Sequence, residues 1–335
     1  MPGAAKILVI RFSAMGDVAM TAPVLKEFSQ NYPDTKLLVV SRKLFTPFFE
    51  GQNIDFYAIE PDARHKGIIG LFRLFLELRR QNIKAVADLH NNLRSRILTF
   101  LFFITGIRSV SLDKGRKEKK QLTRKQDKVL APLKLTVQRY SEVFDRLGFP
   151  FQLKNTIRSS EKEIRSQKWI GVSPFAQHLQ KVYPLHKMES VVTQLADLGH
   201  LIFIFGGTAD EQRTAELWAE KHPNISSMVK KGTLNEELDF IANLDLMLSM
   251  DSSGMHLASL NNVPVVSVWG ATHPYAGFLG YGQSIGDAVQ LDLYCRPCSI
   301  YGNVPCYRGD FACMNNLPVS DVIDKVLHKL NQTNT

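Results

Sequence analysis

The chain of 335 residues has only four cysteines, no aromatic residue in its most basic stretch, and no apolar run of bilayer length. Its opening strand-like run also lacks the common phosphate-loop fingerprints. One glycine, Gly16, follows it instead of G-x-G-x-x-G, and no G-x-x-x-x-G-K-[ST] occurs anywhere. Each absence removes a class. The longest aliphatic and aromatic run, ILTFLFFITGI at 97–107, falls short of the roughly 20 residues that a membrane-spanning helix needs. It reads as a buried helix. No charged-then-apolar leader precedes Lys6, where strand-like sequence begins, so no export is expected and the chain is placed in the cytoplasm. Without the glycine fingerprints, an NAD-type or ATPase reading has no support.

What is present is the composition of an ordinary globular protein, with 44% hydrophobic and 22% charged residues. The length suits two domains. The formal charge of +9 is uneven. Residues 114–134 hold nine lysines and arginines against Glu118 and Asp127, a local charge of +7. Such a stretch is a solvated loop or a seat for an anionic partner. Its lack of aromatics argues against single-stranded nucleic acid, and no nucleic-acid partner is expected.

Strand-like and helix-like runs alternate along the chain. KILVIRF, KLLVVSR, FYAIEP and KAVADLH are the first strands, with amphipathic or apolar helical runs between them. A helix over 135–148 stops at Gly148 and Pro150. A polar stretch at 154–167 reads as a linker, after which WIGVSP, LIFIFGG, LMLSMD and VPVVSVWG restart the rhythm. The last element is an amphipathic helix over 319–331. This pattern predicts an α/β fold of two doubly wound domains, 1–155 and 165–335.

Ligands of such sheets bind beyond the carboxyl ends of the strands, so polar residues that follow strands deserve weight. Ser13, Gly16 and Asp17 follow the first. Lys181, in QKVYP, follows the strand at 169–174. Gly206 and Gly207 break the strand at 201–207, with Glu211 behind them. Asp251, Ser252, Ser253, Gly254 and His256 follow LMLSM, and GATHP follows the last clear strand. Taken singly, each also fits a plain turn, a helix cap or a solvated loop. A helix start with small hydroxyl residues is a ready anion site.

In order and spacing, ILVIRFSAMGDVAMTAPVL, KVYP and DSSGMHLASLNNVPVVSVWGATHP resemble glycosyltransferase family nine, the ADP-heptose:lipopolysaccharide heptosyltransferases. The resemblance implies a GT-B fold, two facing Rossmann-like domains with a C-terminal helix and the active site in the cleft. It implies inverting, metal-independent transfer of a heptose from ADP-heptose to the lipopolysaccharide inner core. Asp17 then matches the general base, Ser13 and Gly16 the turn facing the donor, and Lys181 the diphosphate-binding lysine. Asp251, Ser252, Ser253, Gly254 and His256 match the nucleotide-sugar loop. Gly206, Gly207 and Glu211 lie near the ribose-binding stretch. Ala14 stands where many members have a second serine, and Ser253 where they have glycine. The acceptor, an anionic glycolipid, is expected on the first domain, with Arg94 and Arg96 after the strand 84–90 as its anion-binding pair. The basic stretch is expected to dock on the inner face of the inner membrane. Transfer of another nucleotide-activated sugar and a non-catalytic nucleotide-sugar binder are the competing readings.

Cys295, Cys298, Cys306 and Cys313 form a C-x2-C-x7-C-x6-C cluster. A structural zinc, free thiols and disulfides all fit that spacing. No cofactor is expected for catalysis itself.

Overall fold

Ile7, Leu8, Val9 and Ile10 of the first strand are all buried. A strand with no polar face must be covered on both sides, as in a parallel sheet between helix layers. The computed structural model describes residues 5–157 and 165–332; the middle of the expected linker, 158–164, lies outside them. Among the described residues the chain divides into two units. The first comprises residues up to Arg116 and Lys134–Lys154, and the second Lys117–Leu133 and the residues from Asn155 onward.

In the first unit, β1 (Lys6–Ile10), α1 (Met15–Asn31), β2 (Lys36–Arg42), β3 (Ile54–Ile59), α2 (Gly67–Arg79), β4 (Ile83–Asp88), α3 (Leu93–Ile104) and β5 (Arg108–Ser111) follow in turn. A helix α4 (Arg116–Leu122) begins at its boundary, and α5 (Thr136–Leu147) completes it. The strands form one sheet in the order β3-β2-β1-β4-β5, and the pairings are parallel. The order reverses between β1 and β4. Gly148 ends α5 with φ 96°, a left-handed cap that glycine adopts without a Cβ penalty. Between α1 and α5, the Phe28 ring lies 4.7 Å from Phe144 and 5.7 Å from Phe151.

The second unit runs β6 (Trp169–Ser173), α6 (Leu185–Asp197), β7 (Leu201–Ile204), α7 (Ala209–Lys221), β8 (Ile225–Ser227), α8 (Leu234–Ala242), β9 (Leu246–Met250), α9 (Ser253–Leu260), β10 (Val265–Val268), β11 (Ala288–Val289), α10 (Ala312–Asn315) and α11 (Val319–Gln332). Its sheet order is β11-β10-β9-β6-β7-β8, again parallel, and reverses between β6 and β9. Val322, Ile323, Val326 and Leu330 of α11 join the core of this unit.

Three differences from the sequence reading have physical causes. The basic stretch does not stay with the first unit: Lys117–Leu133 packs with the second. The buried Lys119 ammonium sits 4.3 Å from the Phe278 ring centre, and Lys128 donates to the carbonyls of Tyr294 and Pro297. Several of its cations are thus structural. Second, α3 starts at Leu93, four residues before the apolar run, because Asn92 and Ser95 form a capping box. Third, β8 and β11 have three and two residues, too short for a period-2 signal.

Among the described residues no helix is long and apolar enough to cross a membrane. Phe28 is fully buried in its aromatic cluster, and Phe28→Ala is expected to cost about 3–5 kcal/mol. Chemical denaturation checks this, and a loss below roughly 1 kcal/mol would contradict the packing.

Candidate functional site

The reversal in the first sheet puts the ends of β1 and β4 side by side, where ligand crevices form in open α/β sheets. The chain leaves β1 through Arg11, Phe12 and Ser13 and enters α1 at Met15, so Gly16 and Asp17 stand in the first helical turn. Arg11 is buried, 6% exposed. Its Nη2 lies 2.5 Å from Asp17 Oδ2, and its Nη1 donates to the Leu89 carbonyl at 2.7 Å. The Ala14 N–H also donates to Asp17 Oδ2, at 3.4 Å. The Asp17 side chain keeps 30% of its exposure. Burial works against the Arg11 charge, but Asp17, Tyr140 and Asp88 outweigh it and raise its pKa above the ordinary value.

From β4 come Asp88 and His90. Asp88 is fully buried at the strand end and accepts from the N–H groups of His90 and Asn91 and from the Ser95 hydroxyl. Burial pushes its pKa up, against the pull of those hydrogen bonds. The His90 Nδ1 accepts the Phe12 N–H at 3.3 Å, tying β4's end to β1's. Burial, then the charges of Arg11 and Lys114, push the His90 imidazole down to about 3. Lys114, half-buried nearby, is itself lowered by burial and by Arg11 and Arg116. Arg94 and Arg96 are exposed on the first turn of α3. Ser13 is half-buried in the loop before α1.

The second unit repeats the arrangement with the charges exchanged. At its reversal, Lys181 arrives from beyond β6 and Asp251 from the end of β9, with Lys181 Nζ 2.9 Å from Asp251 Oδ2. Asp251 is buried and Lys181 mostly so. Ser252 occupies the N-cap position of α9 without a side-chain cap, and Ser253 opens the helix. By contrast Thr208 with Glu211, and Thr233 with Glu236, cap α7 and α8. The first-turn amides of α9 therefore carry the positive end of the helix dipole without a side-chain cap. Gly254 is required there, since a Cβ would lie 2.4 Å from the Ser173 Cβ and Oγ. His256, one turn in, is buried.

Two further groups singled out from the sequence have defined surroundings. Glu211 turns inward: its Oε2 accepts from the N–H groups of Gly207 and Thr208 at 2.7 and 2.9 Å. Its carboxylate closes a capping box, with Gly206 packed against it. Gly207 has open space where a Cβ would stand. For the cysteine cluster, of the three readings the free-thiol arrangement is the one seen. All four cysteines are free, and among the described residues no group of three or more His, Cys, Asp or Glu is placed to hold a metal ion. The Cys298 thiol donates to the Ala271 carbonyl and the Cys295 sulfur accepts from Arg308, both at 3.8 Å. Burial pushes the Cys313 thiol up to about 11.

Sequence reasoning passed over Arg11, Asp88, His90 and Arg296 as site residues, and met Lys114 only as part of the basic stretch. The first had a signal, being the one charge inside the apolar run ILVIRF. Arg296 had none. Its buried guanidinium donates to the carbonyls of Trp269, Gly270, Thr272 and Leu291, holding GATHP against the following loop.

Two parallel doubly wound sheets in tandem, each with an ion pair where its strand order reverses, define a two-domain α/β protein with the arrangement a GT-B fold requires. Comparison with known proteins agrees. The family model for Glycosyltransferase family 9 (heptosyltransferase) matches residues 71–304. Lipopolysaccharide heptosyltransferase 1 of Campylobacter coli is 25% identical, over 81% of this chain and 85% of its own. A glycosyltransferase of family 9 from Veillonella parvula superposes with a TM-score of 0.76 at 18% identity, covering 98% of this chain and 97% of its own. The Escherichia coli heptosyltransferase WaaC, solved with ADP, superposes with a TM-score of 0.70 at 18% identity, covering 97% and 99%. The same enzyme with ADP-2-deoxy-2-fluoro heptose gives 0.68 at 19%, covering 96% and 99%. The chain belongs to glycosyltransferase family 9, and is an enzyme of the heptosyltransferase type.

The geometry makes two predictions. Gly254→Ala should lower stability by about 1–3 kcal/mol through overpacking against Ser173, read as a fall in melting temperature; an unchanged melting temperature would contradict the close approach. The second concerns His90, which titrates near 6.5 in the unfolded chain and about 3 in the fold. Between these values the unfolded state binds more protons, so stability is full above 6.5 and is lost as pH falls toward about 3. His90→Gln should make the fall of melting temperature over this window shallower than in the parent. An equally steep fall would show that His90 does not titrate this way.

Proposed function

We propose that the chain transfers a heptose from ADP-heptose to the lipopolysaccharide core, with inversion at the anomeric carbon and Asp17 as general base. The observation that carries this is the Asp17 carboxylate, held at the first unit's strand reversal by buried Arg11 yet still open to solvent. Membership of family 9 and relatives named as lipopolysaccharide heptosyltransferases support the sugar and the acceptor. The WaaC structures with ADP and ADP-2-deoxy-2-fluoro heptose support an adenosine diphosphate donor.

Inverting transfer needs a base that takes the acceptor hydroxyl proton as its oxygen attacks the anomeric carbon opposite the leaving group. Arg11 and the Ala14 N–H fix one Asp17 oxygen, which sets the carboxylate's orientation. The departing nucleoside diphosphate gains charge as the glycosidic bond breaks. Lys181 has three N–H donors and gives one to Asp251, which leaves donors for a phosphate oxygen. The uncapped start of α9 supplies backbone amides to the same group. Gly254 lets that helix start close against β6, and Gly207 leaves room beside the β7 loop. The exposed Arg94 and Arg96 suit an anionic acceptor.

The test pairs donor binding with turnover. ADP-heptose should raise the melting temperature of the purified chain where UDP- and GDP-sugars do not. Asp17→Asn should keep that shift and lose about 10²–10⁴-fold in turnover, the usual contribution of a general base. Near-normal rates in Asp17→Asn would remove the base assignment, and selective stabilisation by a uridine donor would overturn ADP-heptose.

A further inference from the structure

Helices α2 and α3 pack side by side on the first sheet, with the Phe75 and Phe102 rings 5.0 Å apart in an edge contact. Their inner faces are buried through Leu71, Leu74, Leu78 and Leu98. Their outer faces are apolar too. Ile69, Phe72 and Leu76 recur at helical spacing along α2, beside Ile68, and Phe103 and Ile104 continue the surface on α3. All six are exposed, Ile68 by 75%, Ile69 by 80% and Phe103 by 63%. Single exposed apolar residues are ordinary, but a grouped set marks a docking surface. A helix apolar all round is normally covered on every side.

The charge around this face says what covers it. Between residues 64 and 108 every exposed charged residue is positive, nine in number, and Arg73, Arg79 and Arg80 lie on α2 or at its end; the exposed acids Glu60 and Asp62 precede this span, the latter paired with Arg42. The two acids in that span do not reach this surface. Glu77 is engaged by Tyr57, His65 and Arg64, and Asp88 is fully buried. A two-fold pairing of copies through this face would bring the same arginines together. An anionic lipid surface suits both features, taking isoleucine and phenylalanine at the acyl boundary and arginine among the phosphates. The helices have 13 and 12 residues, too short to span a bilayer and suited to lying on one.

We propose that the outer face of α2 and α3 is a membrane-docking surface for anionic lipid, and that the basic stretch at 117–133 is not. The surface continues along α3 to Arg94 and Arg96, beside the sheet edge that carries Asp17. The proposal needs no particular sugar. It shares with the proposed function only an amphiphilic acceptor, and vesicle binding without donor tests it apart from transfer.

The full chain would be sedimented with sucrose-loaded vesicles of equal parts phosphatidylglycerol and phosphatidylethanolamine, and with phosphatidylcholine vesicles. Binding is expected to the anionic vesicles alone. It should fall roughly tenfold or more in Ile69→Gln/Phe103→Gln and in Arg73→Gln/Arg80→Gln, and hold in Lys117→Gln/Lys120→Gln. The first double variant should keep the parent's melting temperature and donor-induced shift, which shows that it is folded. The proposal is overturned if the parent does not bind anionic vesicles, if Ile69→Gln/Phe103→Gln binds as the parent does, or if only the 117/120 variant loses binding. A parent dimer that this first variant converts to monomer would instead assign the face to a second copy.

Discussion

A guanidinium buried at the end of an apolar strand sets the terms for the first unit. Arg11 lies where β1 gives way to α1, and a charge there is tolerable only when paired and hydrogen-bonded. Asp17 and the Leu89 carbonyl supply those partners. The dependence is unequal: the buried Arg11 charge needs its partner, whereas the Asp17 carboxylate keeps part of its exposure to solvent. The Arg11 field also opposes protonation of His90, whose imidazole accepts the Phe12 N–H that joins the ends of β1 and β4. The carboxylate's position is thus coupled to core packing, through a strand whose residues Ile7–Ile10 are all aliphatic and buried.

The second unit meets the same constraint with the roles exchanged. There the carboxylate, Asp251, is the more buried partner, and the cation, Lys181, reaches it from the loop beyond β6. Both pairs lie where the order of a parallel sheet reverses, since there two strand ends diverge into loops that leave a crevice. Under the proposed function this inversion has chemical sense. The acceptor hydroxyl needs an accepting group, and the departing diphosphate needs donors.

Much of this was legible, for identifiable reasons. Doubly wound sheets write their strands as continuous apolar runs, so β1, β2, β6, β9 and β10 are plain in KILVI, KLLVV, WIGVS, LMLSM and VVSV. Polar residues just after those runs then have to lie at one edge, which is how Asp17, Lys181 and Asp251 could be singled out. Partners that are close only in space were not legible. Asp88, His90 and Lys114 reach Arg11 through sheet order and loop path, which no local pattern encodes. Glu211 shows a different limit. An acid after a glycine pair fits both a ribose contact and a helix cap, and the cap became visible only through the hydrogen bonds to Gly207 and Thr208.

The cationic stretch shows why charge counted along a sequence does not locate a charged surface. Residues 114–134 hold most of the excess charge, yet Lys119 lies against Phe278, Lys125 over the Tyr307 ring, and Lys128 on two carbonyls. A cation on an aromatic face or a carbonyl is positioned by those groups and is less free to follow a distant anion. On α2 the positive residues are sparser, but the helix itself carries no exposed acid and bulky apolar side chains stand between them. Binding to a lipid surface scales with both buried apolar area and local charge. A helix pair offering both therefore outranks a denser run of lysines that offers charge alone.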